Sequence, residues 1–204
     1  MSHRIETIEQ LEQIYTDPGA ASTVKVSDRI TPLYRRLIEA SPFCALATSG
    51  PEGLDCSPRG DAEQCLVIQD EKTLLMPDRR GNNRVDSLRN IVRDPRIALM
   101  MLIPGSGSTL RINGTAHLST DPDLLAQLTT QNKQPRCVIQ ITVSEIYFQC
   151  ARAVLRAGLW DNEKHVDPAS LPTPGQILQE MSAGNVNGKA YDDEWPGRAA
   201  KTMW

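Results

Sequence analysis

No apolar run in this chain approaches the roughly 20 residues that a membrane-spanning helix needs, and the opening residues, Met1-Ser2-His3-Arg4, carry no apolar signal core. A cytoplasmic protein is expected. Cys44, Cys56, Cys65, Cys137 and Cys150 are odd in number and scattered, without a CxxC pair, and so signal neither a disulfide framework nor a thiolate zinc site. Their strand-like apolar contexts predict inert thiols. Histidine is scarce, and His117 and His165 have no partner at ligand spacing, so no metal site is expected. No Ser/His/Asp or Cys/His arrangement argues for nucleophilic catalysis. Positive charge is not in excess either: the net charge of −3 speaks against a general binder of nucleic acid or membrane surfaces. Gly105-Ser106-Gly107 reads as a hairpin turn and not as a dinucleotide fingerprint, because no helix follows it.

What is present is an ordinary globular composition in 204 residues, enough for one domain with a substantial core. Neither a repeat nor a second domain is visible. Ile5, Ile8, Leu11, Ile14 and Tyr15 fall at helical spacing, and a second helix is predicted after Thr31 as cap, with Pro32 in its first turn and Leu33, Leu37 and Ile38 as apolar positions. Strands then follow strands, over residues 43–48, 54–57, 64–68, 73–76, 96–103 and 109–119. In the last of these Leu110, Ile112, Ala116 and Leu118 alternate with Arg111, Asn113 and His117, so one face is polar and open to a ligand. Gly114 marks an expected bulge. A short helix over 121–128 and a final strand or pair of strands over 136–143 and 146–148 complete the set. The reading is a mainly β fold with α insertions, six to seven mostly antiparallel strands in the manner of a β-barrel. A helical lead over 1–41 precedes the barrel at 42–160. The arm at 161–204 reads as irregular apart from a helix at 175–182, and with Trp195 and Trp204 is expected to pack on the barrel or on a partner subunit.

The stretch 73–95 holds the strongest local signal. Leu74, Leu75 and Met76 form an apolar strand that stops at Pro77, and after a turn rich in Arg, Gly and Asn the period becomes helical through Val85, Leu88, Ile91 and Val92. Arg79, Arg80 and Arg84, with the amides of Asn82 and Asn83, thus crowd the first turn of a helix, where backbone N–H groups are unpaired and the dipole is positive. Gly81 is expected to take a positive φ and let the backbone approach a ligand. Such a loop suits an anion, and phosphate oxygens match guanidinium groups in pairs. The plain alternative is a solvated basic turn with an Asn cap. Arg89, a turn and a half along the helix, is expected to stand away from the anion.

Residues 43–48, Ser57-Pro58-Arg59-Gly60-Asp61, the run from Met76 to Arg84, Asp86-Ser87-Leu88-Arg89-Asn90, residues 102–105 and residues 110–114 together resemble the pyridoxamine 5′-phosphate oxidase-related FMN-binding proteins. The likeness runs from Pro42 to Trp160 and is strongest toward a bacterial subgroup. It implies an FMN-binding split β-barrel, a homodimer with FMN at the subunit interface, and an oxidoreductase acting on a small molecule. It places the FMN phosphate on Asn82, Asn83 and Arg84, with Ser87 beside them at the helix start. It places the isoalloxazine ring beside Met76, Pro77, Asp78 and Arg79, and brings Arg59, in the segment with Ser57, Gly60 and Asp61, to the cofactor. Arg59 paired with Asp61 is the structural alternative. Arg111 is a candidate for the phosphate or the opposite subunit, and Arg152, Arg156 and Trp160 for a reach across the dimer to the neighbouring flavin.

Two departures shape the functional expectation. The Arg- and Trp-containing C-terminal segment that forms the substrate phosphate site in true pyridoxamine 5′-phosphate oxidases has no counterpart; Trp195-Pro196-Gly197-Arg198 shares residue types but not the pattern. Vitamin B6 oxidation is therefore not the expected reaction. Gln149 stands where the subgroup pattern has a His, keeping a hydrogen bond but not a proton-transfer group. The rival readings are a non-catalytic flavin store or sensor and a haem-binding split barrel, for which only His117 on the barrel offers an axial ligand.

Overall fold

In β1 (Phe43–Gly50) Cys44, Leu46 and Thr48 are buried while the residues between them are not, the two-residue period of a strand with one face on a core. The same alternation recurs in β5 (Arg96–Leu102), whereas residues 74–77 are buried in succession, in this computed structural model, which describes residues 3–62 and 64–203. Met1, Ser2 and Trp204, which entered the reading of the two termini, lie outside the described residues.

Besides β1 the sheet contains β2 (Gly53–Gly60), β3 (Val67–Ile68), β4 (Thr73–Pro77), β5 (Arg96–Leu102), β6 (Thr109–Ser119) and β7 (Val138–Gln149). All pairings are antiparallel, in the order β2-β1-β5-β6-β7-β4-β3. The final strand is one, not two. The predicted strand at 64–68 shrinks to two residues, and β2 runs on to Gly60. The bulge falls at Gly114, where the register with β7 shifts. A Cβ there would lie 2.1 Å from Thr142 O, so the close backbone approach requires glycine.

Register fixes which face each side chain takes. Arg59 lies opposite Cys44, Cys44 opposite Met101, and Met101 opposite Leu110, a row on the inner face with the buried core. The adjacent row, Pro58, Ala45, Met100, Arg111 and Tyr147, faces outward. Arg59 and Arg111 are therefore on opposite faces of one sheet.

Helices close the barrel. α1 (Ile8–Glu12) is shorter than its spacing predicts, and Ile5, Ile8, Leu11, Ile14 and Tyr15 are all exposed; α2 (Ala20–Thr23) follows. α3 (Pro32–Glu39) begins as expected, with Thr31 accepting from Tyr34 N. It buries Tyr34 and Ile38, whereas Leu33 is 71 % exposed, because Tyr34 can satisfy its hydroxyl on Lys25 O while filling the core. α4 (Asp86–Arg93) packs on β1, where Asn90 Nδ2 donates to Thr48 Oγ1 at 3.2 Å, and it buries Ile91 while Val92 remains exposed.

α5 (Pro122–Gln127) is capped by Asp121, and α6 (Arg152–Ala157) ends on Gly158 in the left-handed conformation. The arm is more regular than its composition predicts. α7 (Pro174–Met181) and α8 (Gly188–Thr202) pack against each other through Gly175 and Gly188, where a Cβ on Gly175 would lie 2.1 Å from Gly188 O. α8 forms despite Pro196, within the segment read as irregular, because Asn187 caps it and its partner helix supplies contacts that propensity does not count.

Candidate functional site

The sheet does not close on itself. β3 pairs only with Leu74 and Leu75, so the edge of β4 is bare at Met76 and Pro77, a place that suits a residue without an N–H. The far end of β2 comes to meet it. Arg59, Gly60 and Asp61 from one edge and Met76, Pro77 and Asp78 from the other line a cavity of about 220 Å³, with Cys65 and Gly81 at its margin. The split side of the barrel is thus a slot with polar groups at its ends and Met76 and Pro77 in its wall.

A second cavity of about 90 Å³ continues from it, sharing Arg59, Asp78, Arg79 and Gly81 and adding Asn82, Asn83, Arg84 and Arg136. Backbone bonds fix the loop around it: Asp78 N donates to Cys137 O at 2.9 Å, and Arg136 N to Asp78 O at 3.2 Å. The residue with positive φ is Asn83 (φ 64), not Gly81. Asparagine tolerates this conformation, and the Asn83 amide oxygen accepts from Arg136 Nη1 at 2.5 Å. Asn82 turns back to accept from Arg84 N at 2.9 Å and does not cap α4. The cap position is Val85, which offers no side-chain acceptor, so the first-turn N–H groups of α4 have no side-chain cap.

Arg59 lines both cavities with its guanidinium only partly satisfied. Nη2 donates to Ser87 Oγ at 3.3 Å and Nη1 to Pro58 O at 3.4 Å, while Nε is buried without a partner among the described residues. An orphaned buried donor costs about 1–3 kcal/mol. Asp61, the alternative partner for Arg59, instead binds Arg79, with Nε at 2.9 Å and Nη2 at 2.8 Å, and Arg79 Nη1 donates to Leu128 O at 2.7 Å. Arg79 therefore braces the walls of the slot, with each of its three nitrogens bonded to protein. Ser57 and Ser87 both donate to Asp55 Oδ2, at 2.8 and 2.5 Å, which fixes the hydroxyl that in turn receives Arg59.

Arg84 is 80 % exposed and pairs with Asp86, an exchange partner that an anion can replace at little cost. Asp78 lines both cavities and feels the charges of Arg59 and Arg136. Burial pushes its carboxyl above the ordinary range, against the pull of those two cations. The Cys44 thiol is raised by its hydrogen bond with Cys65 and by burial, an inert group beneath the site.

Of the residues expected at a site, Arg59, Gly60, Asp61, Met76, Pro77, Asp78, Arg79, Asn82, Asn83 and Arg84 line these two cavities, and Ser57 and Ser87 support them from below. Arg111, Arg156 and Trp160 line neither. Arg111 lies over the Tyr147 ring, Arg156 Nε donates to Arg152 O, and Trp160 Nε1 donates to Ser106 O at 2.7 Å, tying the end of α6 to the β5–β6 turn. Arg136 was not anticipated. The pairing of Pro77 with Val138 carries it beside Asp78, and only knowledge that β4 pairs with β7 would have pointed to it. Among the described residues no cluster of His, Cys, Asp and Glu could hold a metal ion, and no helix is long and apolar enough to cross a membrane.

The pyridoxamine 5′-phosphate oxidase family profile matches residues 30–150, more than half of the chain. No curated protein matches significantly. Solved structures with a similar course include HupZ of Group A Streptococcus, 20 % identical over 59 % of this chain and 94 % of that one, with a TM-score of 0.49. A Clostridium acetobutylicum protein related to general stress protein 26 is 16 % identical over 57 % and 84 % of the two chains, with a TM-score of 0.44. An F420 reductase is 18 % identical over 57 % and 98 %, with a TM-score of 0.43. The family assignment rests on the profile.

Proposed function

Because the chain belongs to the pyridoxamine 5′-phosphate oxidase family, we propose that it binds FMN in the two joined cavities of the split barrel and acts as an FMN-dependent oxidoreductase on a small molecule. The observation that carries this reading is the buried Nε of Arg59, unpartnered among the described residues, on the side chain that lines both cavities. The smaller cavity suits the phosphate: Arg84 and Arg136 bring positive charge, and the uncapped start of α4 brings backbone donors. The larger suits a flat ring with a polar edge, with Met76 and Pro77 as apolar wall and Arg59 and Asp78 as donor and acceptor. Bound FMN supplies hydride transfer; the protein supplies orientation and charge.

Arg59 donates toward the polar edge and, as a cation, stabilises negative charge there. Arg79 and Asp61 keep the slot at fixed width. We further propose a cytoplasmic homodimer with FMN at the subunit interface, formed through the outer sheet face. Phe43 and Met100, 38 % and 46 % exposed, stand there near Arg111, which would place Arg111, Arg156 and Trp160 toward the partner's flavin.

Calorimetric titration with FMN and riboflavin, together with a visible spectrum, tests the reading. FMN should bind at least tenfold more tightly, the worth of about 1.4 kcal/mol from the phosphate. In Arg59→Met, FMN affinity should fall about tenfold or more while the stability of the flavin-free protein is unchanged or higher, since the orphaned donor is gone. Equal affinity for the two flavins, or a haem spectrum, would overturn it.

A further inference from the structure

The first helix buries nothing. Thr7 caps α1 by accepting from Gln10 N at 3.3 Å, and the Gln10 side chain accepts in return from Glu6 N at 2.8 Å, a reciprocal pair close to a capping box. Yet α1 has no buried residue: Ile8 and Leu11, on one face at i and i+3, are 64 % and 39 % exposed, with Ile5 and Ile14 open on either side. A helix this short is not stable in water by propensity alone. Its cap and its apolar stripe call for a surface.

α4 offers an apolar surface of the matching kind. A groove of about 360 Å³ is lined by Val85, Leu88 and Val92 of α4 and by Leu118 near the end of β6, together with Arg89 and Arg93. Leu88 and Leu118 rest on the core with their side chains partly open, and Val92 is 74 % exposed. No carboxylate lines this groove. Arg93 is paired with Glu52, whereas Arg89 has no hydrogen-bond or ion-pair partner among the described residues. The segment 3–17 has the opposite balance, with Glu6, Glu9, Glu12 and Asp17 against Arg4. An acidic apolar helix thus faces a basic apolar groove in charge and in polarity.

Within one subunit the two do not meet, since α1 lines no part of the groove. The segment joins the barrel where Ser27 pairs with Ile146 and Lys25 lies over the rings of Tyr147 and Phe148, on β7 and not on α4. Residues 13–19 form neither helix nor strand, and extended they reach roughly 24 Å. We propose that the groove on α4 receives α1 of a second copy, with Ile8 and Leu11 against Val85, Leu88 and Val92 and the glutamates toward Arg89, so that two copies exchange their N-terminal segments. Each copy holds one such helix and one such groove, and a two-fold exchange fills both at once. The exchange needs neither flavin nor the outer sheet face.

The test is disulfide cross-linking of full chains carrying Cys56→Ser and Cys150→Ser, which remove the two exposed native thiols. A chain with Leu11→Cys is mixed with a tagged chain with Val92→Cys and oxidised with copper-phenanthroline; a single chain with both substitutions is treated alike. The mixed pair should give a two-chain product, and the doubly substituted chain should join to other copies without closing on itself. Ile8→Asp should lower the yield about tenfold, the loss of one apolar anchor, and Arg89→Glu about threefold, the worth of an exposed charge contact. Intramolecular closure without a mixed product seats the helix on its own barrel and overturns the exchange. No product from either, or a yield indifferent to Ile8→Asp, overturns the docking itself.

Discussion

Arg79 holds Asp61 across the split of the barrel, with two of its nitrogens within 3 Å of Asp61 Oδ2 and side chains only 18 % and 23 % exposed. The pair joins the end of β4 to the end of β2, the two sheet edges that no backbone ladder connects. Partial burial makes it worth more than a surface ion pair, and removal of one member leaves the other desolvated without a partner.

Asp61→Ala should therefore destabilise the protein by about 2 kcal/mol, read as a lower urea midpoint at unchanged slope. Flavin affinity should fall with it, because the slot loses its brace. A midpoint equal to that of the unmodified protein would show that the pair does not hold the edges together.

The raised carboxyl of Asp78 predicts a pH dependence. The folded protein takes up this proton more readily than the unfolded chain, so the stability it contributes is fully present below the ordinary aspartate pKa of about 3.9 and is lost as pH rises through the folded value. Asp78→Asn should accordingly melt higher than the unmodified protein at neutral pH, with the advantage vanishing in acid. It should also bind FMN more tightly, since a negative charge leaves the phosphate cavity. Melting curves at both pH values decide the first point, and an advantage that grows in acid would refute it.

Arg84 is expected to give up Asp86 for the phosphate. Arg84→Ala should weaken FMN by roughly tenfold, at the low end for a charge-assisted hydrogen bond because the side chain is 80 % exposed. Riboflavin binding should change little. Titration of the variant with both flavins is the check, and equal losses would remove Arg84 from the phosphate.

Four of the five thiols should divide in two, with half-buried Cys137 between them. Cys56 and Cys150 are exposed, and Cys150 is lowered chiefly by a backbone hydrogen bond from Arg152, so maleimide should label these two first and Cys150 faster than Cys56. Cys44 and Cys65 are buried and should react only on unfolding. Mass spectrometry of timed samples measures this, and early labelling of Cys44 would contradict the core described above.

Local pattern carries information only over the few residues it spans. Alternation at Leu110, Arg111 and Ile112 was enough to mark a one-sided strand, Thr31 with Pro32 enough to start α3, and Arg79 to Arg84 enough to mark a basic loop ahead of α4. Each of those signals is chemical and short-range: a two-residue period, a cap, a run of donors. The left-handed position at Asn83 escaped because the glycine beside it is the better intrinsic candidate; the bond to Arg136, 53 residues away, favours the asparagine. Leu33 and Val92 were misplaced because spacing gives an apolar stripe but not which of its edges meets the core. α8 needed its partner helix. Long-range pairing alone decided that Arg79, not Arg59, takes Asp61 and that Arg136 stands beside Asp78. It also set Arg111 on the opposite face from Arg59, since strand register assigns faces and the sequence of one strand does not contain the register of the next.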